Sequence, residues 1–142
     1  MTEAAEKYFN RLYPGGGFRL ASTDPEFAEF FANFSCDETV NQDDLDDRTR
    51  MMAILAALLG CQGIDEFREV LPGALNLGVT PVEIKEIVYQ ACAYLGIGRV
   101  RPFFDAVNEV LTEKGVALPL EGQATTTIED RVETVSYTHL TL

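Results

Sequence analysis

Apolar residues recur along this chain at helical spacing. Ile84, Ile87, Val88, Ala91 and Leu95 fall at positions that share one face of a helix. The start of that helix is marked by Thr80, Pro81 and Glu83, a T-x-x-E capping box with proline in the first turn, and Val79 is placed to staple onto Ile84. Gly96 supplies its stop. Similar reasoning predicts a first helix over 3–12, closed by Pro-Gly-Gly-Gly at 14–17. A second begins at Asp24-Pro25, a third spans about 46–60, a fourth about 64–77, and a last one about 99–114, stopped by Gly115. The fold class is therefore all-α, a bundle of about six helices.

The same pattern assigns the core. From Met51 to Leu59 the third helix is apolar all round, which places it at the centre. The fourth puts Ile64, Phe67, Val70, Leu71 and Ala74 on one face, with Pro72 expected to bend it because the ring clashes with the carbonyl of Arg68. The last helix should turn Val100, Phe103, Phe104, Val107, Val110 and Leu111 inward. Phe27, Phe30, Phe31 and Phe34 form an aromatic stripe too apolar to leave wet, so core burial or a subunit interface should claim it. Residues 1–115 thus read as a helical domain, and 116–134, Thr-rich and weakly patterned, as an extended arm or linker. The last eight residues, "VSYTHLTL", differ in composition and resemble read-through at the end of a truncated reading frame. They contain His139, the only histidine.

Composition narrows the function. A chain of 142 residues fits one domain, and at that size it can bury roughly two-thirds of its unfolded surface without a metal or disulfide. A net charge of -12 disfavours nucleic acid and anionic membranes, which need clustered Lys and Arg. No apolar run approaches the ~20 residues of a membrane span, and "MTEAAEKYFNRLY" lacks the basic-then-apolar order of a signal peptide, so a cytoplasmic location is expected. Cys36, Cys61 and Cys92 are odd in number, with no Cys-x-x-Cys, which argues against a disulfide frame or zinc site. No cofactor is indicated. Glycines at "PGGGF" and "GIGRV" lack the strand-to-helix setting of a phosphate cradle.

Over residues 45–111, "LDDRTRMMAILAALLG" followed by "GALNLGVTPVEIKEIVYQACAYLGIGR" resembles the carboxymuconolactone decarboxylase family, which includes the AhpD-like alkyl hydroperoxidases. The resemblance implies an all-helical fold built on a helical hairpin and assembly as a trimer or hexamer. "FANFSCDETVNQDDLDD" and "LPLEGQATTT" are similar to the first half of members that carry two such repeats in one chain. The peroxidase branch uses a glutamate, which falls here at about Met51, and a Cys-x-x-Cys-x-x-x-His motif. Aligned on "GAL", those two thiols and that imidazole fall on Gly63, Glu66 and Val70, with Cys61 two residues out of register. None of the family's functional residues carries over. A degenerate repeat serving oligomerisation or pocket formation is the favoured expectation, ahead of an active decarboxylase and of a thiol peroxidase based on Cys61.

Candidate residues follow from what those chemistries require. Cys61 is either a thiol activated by the start of the fourth helix or a small apolar residue filling a bend; the acids Asp65, Glu66 and Glu69 and the lack of a resolving cysteine favour packing. Cys92 should be structural, and Cys36, in a polar connection, should lie at a surface or interface. The runs Asp43-Asp44 and Asp46-Asp47 read as solvated helix caps. Decarboxylation of a lactone carboxylate requires a cationic clamp and a proton donor in a dry pocket. Arg50, Arg99 and Arg101 are the cations placed to hold a small carboxylate substrate, with surface ion pairing as their alternative. Tyr89 and Tyr94 can donate a hydrogen bond or, as Tyr94 beside the Gly96 bend, a proton; otherwise they pack at a rim.

Overall fold

A computed structural model of the chain describes residues 1–130, and within them six α-helices and two short helical turns account for the regular structure. Helix α1 is Glu3–Leu12, α2 Pro25–Asn33, α3 Asp47–Gly60, α4 Ile64–Asn76, α5 Pro81–Leu95 and α6 Ile97–Glu113. A 3₁₀ turn at Arg19–Ser22 precedes α2, and a π turn at Phe34–Glu38 continues it. His139 and the proposed read-through segment lie outside the described residues. No described helix is long and apolar enough to cross a membrane.

The caps explain where helices begin. Thr2 accepts from the amide of Ala5 at 3.1 Å, and Asp46 from that of Thr49 at 2.9 Å. At α5 the capping box is complete: Thr80 Oγ1 accepts from the Glu83 amide at 3.3 Å, while Glu83 Oε2 accepts from the Thr80 amide at 2.9 Å. Helices α3 to α6 enclose the main core. Phe67 of α4 and Phe103 of α6 meet edge to face there, centroids 5.0 Å apart, and Leu55, Leu71, Ile84, Val88, Val100 and Val107 are fully buried. Helix α1 lays Tyr8, Phe9 and Leu12 on α4, where Gly73 permits the approach. A β-carbon at Gly73 would stand 3.1 Å from Leu12 Cδ2 and 3.3 Å from Tyr13 Cε1. Asn76 Nδ2 locks the joint by donating to the Leu12 carbonyl at 2.6 Å.

Several expectations change. Helix α3 is not enclosed on all sides: it packs on α4 and α5 with Met51, Leu55 and Leu59, while Ala53, Ile54, Ala56 and Ala57 are exposed. The phenylalanine stripe is not core, since Phe30 is 76% exposed and Phe27, Phe31 and Phe34 are exposed too. Helix α2 instead turns Ala28 and Ala32 inward, small residues that let it approach α1 closely. Cys36, expected at a surface or interface, is buried. The helix does not stop at Asn33, and the π turn carries Cys36 onto the inward face already marked by Ala28 and Ala32. Cys61 is exposed rather than packed into the bend, because it follows Leu59 by two positions and so falls on the far side of α3. The turn after it uses Gln62 at φ 62°, with the Gly63 amide donating to the Leu58 carbonyl at 2.8 Å. Helix α4 runs on through Pro72, and α6 starts two residues earlier than expected, directly from Gly96.

Candidate functional site

A cavity of about 190 Å³ lies between α1, the end of α2 and the α3–α4 hairpin. Phe9, Leu12, Phe18 and Met51 make much of its wall apolar, and its polar groups come from Tyr8, Tyr13, Ser35, Cys36, Arg50 and Glu66. The positions at which the family's glutamate, second thiol and imidazole would fall are Met51, Glu66 and Val70. All three line this one cavity, while Gly63 lies beside Cys61 outside it.

Each polar group has a physical state set by its surroundings. Arg50 is only 8% exposed, and its Nη2 donates to Asp43 Oδ1 at 2.8 Å, the Leu45 carbonyl at 3.2 Å and the Val40 carbonyl at 3.4 Å. Nη1 reaches the Thr39 carbonyl at 3.4 Å, and Nε is buried without a partner. The guanidinium therefore fastens the loop over 39–45 to α3, and its charge already faces a carboxylate. Tyr8 donates to Asp47 Oδ1 at 2.9 Å; burial and then this hydrogen bond raise its phenol above the ordinary range. Burial pushes the Tyr13 phenol up to about 12, with Glu66, Cys36 and Glu69 adding to it. Burial also raises the Cys36 thiol, against a smaller opposing effect of Ser35, so it stays protonated and is a poor nucleophile. The Glu66 carboxyl is raised by burial first and by Glu69 second, with Arg19 acting against them. Glu66, although an exposed residue, thus keeps its proton to higher pH than a fully solvated glutamate.

The residues singled out from sequence do not converge. Arg50 lines this cavity. Cys61 lies apart from it, its Sγ donating to the Leu58 carbonyl at 3.4 Å. Tyr94 is 86% exposed beside an apolar groove of about 540 Å³ between α3 and α5, lined by Met52, Ala56, Ile87, Ala91 and Leu95. Tyr89 stacks loosely on Phe104, centroids 5.6 Å apart, at a third cavity, and Cys92 is half-buried. Arg99 and Arg101 are exposed in the first turns of α6, without an ion pair among the described residues.

The third cavity, about 860 Å³, is formed where residues 118–126 run back over α5 and α6. Lys85 lines it, buried, and donates from Nζ to Asn108 Oδ1. Burial lowers its ammonium below the ordinary lysine value. Periodicity hides this residue, because Lys85 lies three positions before Val88 on the buried side of α5, where a long side chain passes its stem through the apolar layer. Glu66 and Tyr13 were likewise missed; the register that places Glu66 at a family thiol position was the available signal for the first, and nothing local marked the second.

The chain is thus an all-helical bundle with a cavity between α1 and the α3–α4 hairpin. The chain belongs to the carboxymuconolactone decarboxylase family, whose profile matches residues 25–109. It is similar to a 4-carboxymuconolactone decarboxylase of Acinetobacter baylyi, 29% identical over 112 residues that cover 79% of this chain and 81% of the relative.

Proposed function

We propose that this chain is a catalytically degenerate family unit, a helical domain over 1–115 with an arm over 116–134, which keeps the pocket and an assembly surface and has lost the chemistry. The observation that carries this reading is the occupancy of the cavity wall: Met51 and Val70 stand where a carboxylate and an imidazole would act. Arg50, the one cation lining that cavity, is held by Asp43 and three carbonyls. Exposed Phe27, Phe30 and Phe34 and the apolar α3–α5 groove support a homo-oligomer; the family resemblance implies a trimer or hexamer, and the assembly is proposed to work in the cytoplasm. Incubation of the full chain with 4-carboxymuconolactone should give carbon dioxide release no faster than buffer. An enzymatic rate would overturn the reading.

One observation favours a second reading, an active decarboxylase of a carboxylated lactone from aromatic-compound degradation. Glu66 lines the cavity with its carboxyl raised above the ordinary value by burial and by Glu69, which is the direction a general acid needs. Arg50 would exchange Asp43 for the substrate carboxylate. The carbon–carbon bond to that carboxylate then breaks, carbon dioxide leaves, its electron pair passes into the conjugated lactone carbonyl, and Glu66 protonates the resulting carbanion. Turnover lost in Glu66→Gln with the fold intact would establish this reading. A peroxidase on Cys61 has less support, since Cys36 is buried in the α1–α4 cavity and Cys92 packs in α5.

A further inference from the structure

We propose that the cavity beneath the 118–126 arm is a second ligand site, built for a monocarboxylate with an apolar or aromatic body. The proposal is independent of what happens in the cavity between α1 and α4, with which this one shares no lining residue.

Lys85 carries it. The residue is 8% exposed, and no carboxylate pairs with it among the described residues. An ammonium buried without a direct ion-pair contact is costly, and such groups are ordinarily paired or engaged by a ligand. Its partner Asn108 also restricts the geometry. An ammonium can only donate, so the amide turns its oxygen to Lys85 and its NH2 group away, and that NH2 has no acceptor among the described residues. Two donors, Lys85 Nζ and Asn108 Nδ2, therefore belong to neighbouring groups lining one cavity, which matches the two oxygens of a carboxylate.

The remaining walls select the rest of the ligand. Val82, Leu118 and the ring of Tyr89, backed by Phe104, supply apolar surface. Glu86 and Glu121 also line the cavity and oppose any anion, so a single carboxylate must be held by direct contact with Lys85 and Asn108, and a second negative charge, as on inorganic phosphate or a dicarboxylate, is disfavoured. At about 860 Å³ the space lies at the upper end for small-molecule pockets, which run roughly 300–1,000 Å³. Because the arm forms one wall, ligand capture and the position of the arm are coupled.

The test is isothermal titration of the full chain with sodium benzoate, with benzamide and inorganic phosphate as controls, alongside nitrogen-edited NMR of the same titrations. Benzoate should saturate a single site, and benzamide should bind roughly tenfold more weakly or worse, because it lacks the charge that Lys85 meets. Lys85→Met should lose benzoate by a similar factor. Shifts should centre on the side-chain NH2 of Asn108 and on Tyr89 and the arm, leaving Met51 and Val70 unmoved. The NMR readout on the unmodified chain decides the matter even if Lys85→Met does not fold. No saturable benzoate binding, equal binding of benzamide, or shifts centred on Met51 and Val70 would each overturn the proposal. Phosphate binding as strong as benzoate would overturn the monocarboxylate class.

Discussion

The two cavities differ in what they kept. The one between α1 and α4 is lined by the residues at which the resemblance puts the family's functional groups, yet Met51 and Val70 are apolar and Arg50 is already engaged by Asp43. The one under the arm lies where no motif points, yet it holds a buried ammonium and an amide NH2 without an acceptor among the described residues. Position within a fold family and the presence of usable chemical groups are therefore separate properties. The first is inherited through the backbone; the second changes with a few side chains.

Four changes break or sharpen that contrast. Phe67→Ala has the largest expected effect, because the ring is fully buried against Phe103 in the core that both cavities lean on. Removing it should cost about 3–5 kcal/mol in urea unfolding and loosen both sites together. Val70→His reinstates an imidazole in the first cavity. It should lower stability by about 1–3 kcal/mol, the cost of a polar group in an apolar wall. It should not by itself start lactone decarboxylation, because Met51 leaves the carboxylate position empty of charge; measurable turnover from this single change would erase the distinction between the cavities.

Glu66→Gln acts more gently and shows in pH dependence. The folded carboxyl sits above its ordinary value of 4.5, so the folded chain holds that proton more tightly than the unfolded one. Stability conferred by this group is present at low pH and is lost as pH rises from the ordinary value through the raised one. Relative to Glu66→Gln, the wild type should therefore weaken across that window, and parallel melting profiles for both proteins would remove Glu66 from the cavity. The smallest effect belongs to Phe30→Ser. With so exposed a side chain, thermal stability should stay within about 0.5 kcal/mol. A fall in mass by light scattering would identify the α2 face as an assembly surface, and an unchanged mass would move that role elsewhere.

The helices were legible because their signals are local. The Thr80 and Glu83 box, the Asp24-Pro25 start and the glycines at 96 and 115 act within one or two turns, and the structure keeps each of those boundaries. The candidate site was read less well. Of the residues chosen from sequence only Arg50 reaches the cavity between α1 and α4, and the others went to separate surfaces. Tyr13 and Cys36 could not be found, since they enter that cavity from segments read as a turn and a polar connection. Of the two fates expected for the Phe27–Phe34 stripe, core burial or a subunit interface, the exposure of these rings in the chain removes the first.

The sequence alone thus determined the all-helical class, the capped starts of the helices and the family resemblance, since all three depend on neighbours within a turn or on motif order. Tertiary structure alone decided which face of α2 and α3 turns inward, that Met51, Glu66 and Val70 meet in one cavity, and that Lys85 lies buried against Asn108. The reason is physical. A periodic pattern defines a stripe, while burial and electrostatic partnership are set by whatever distant segment packs against it.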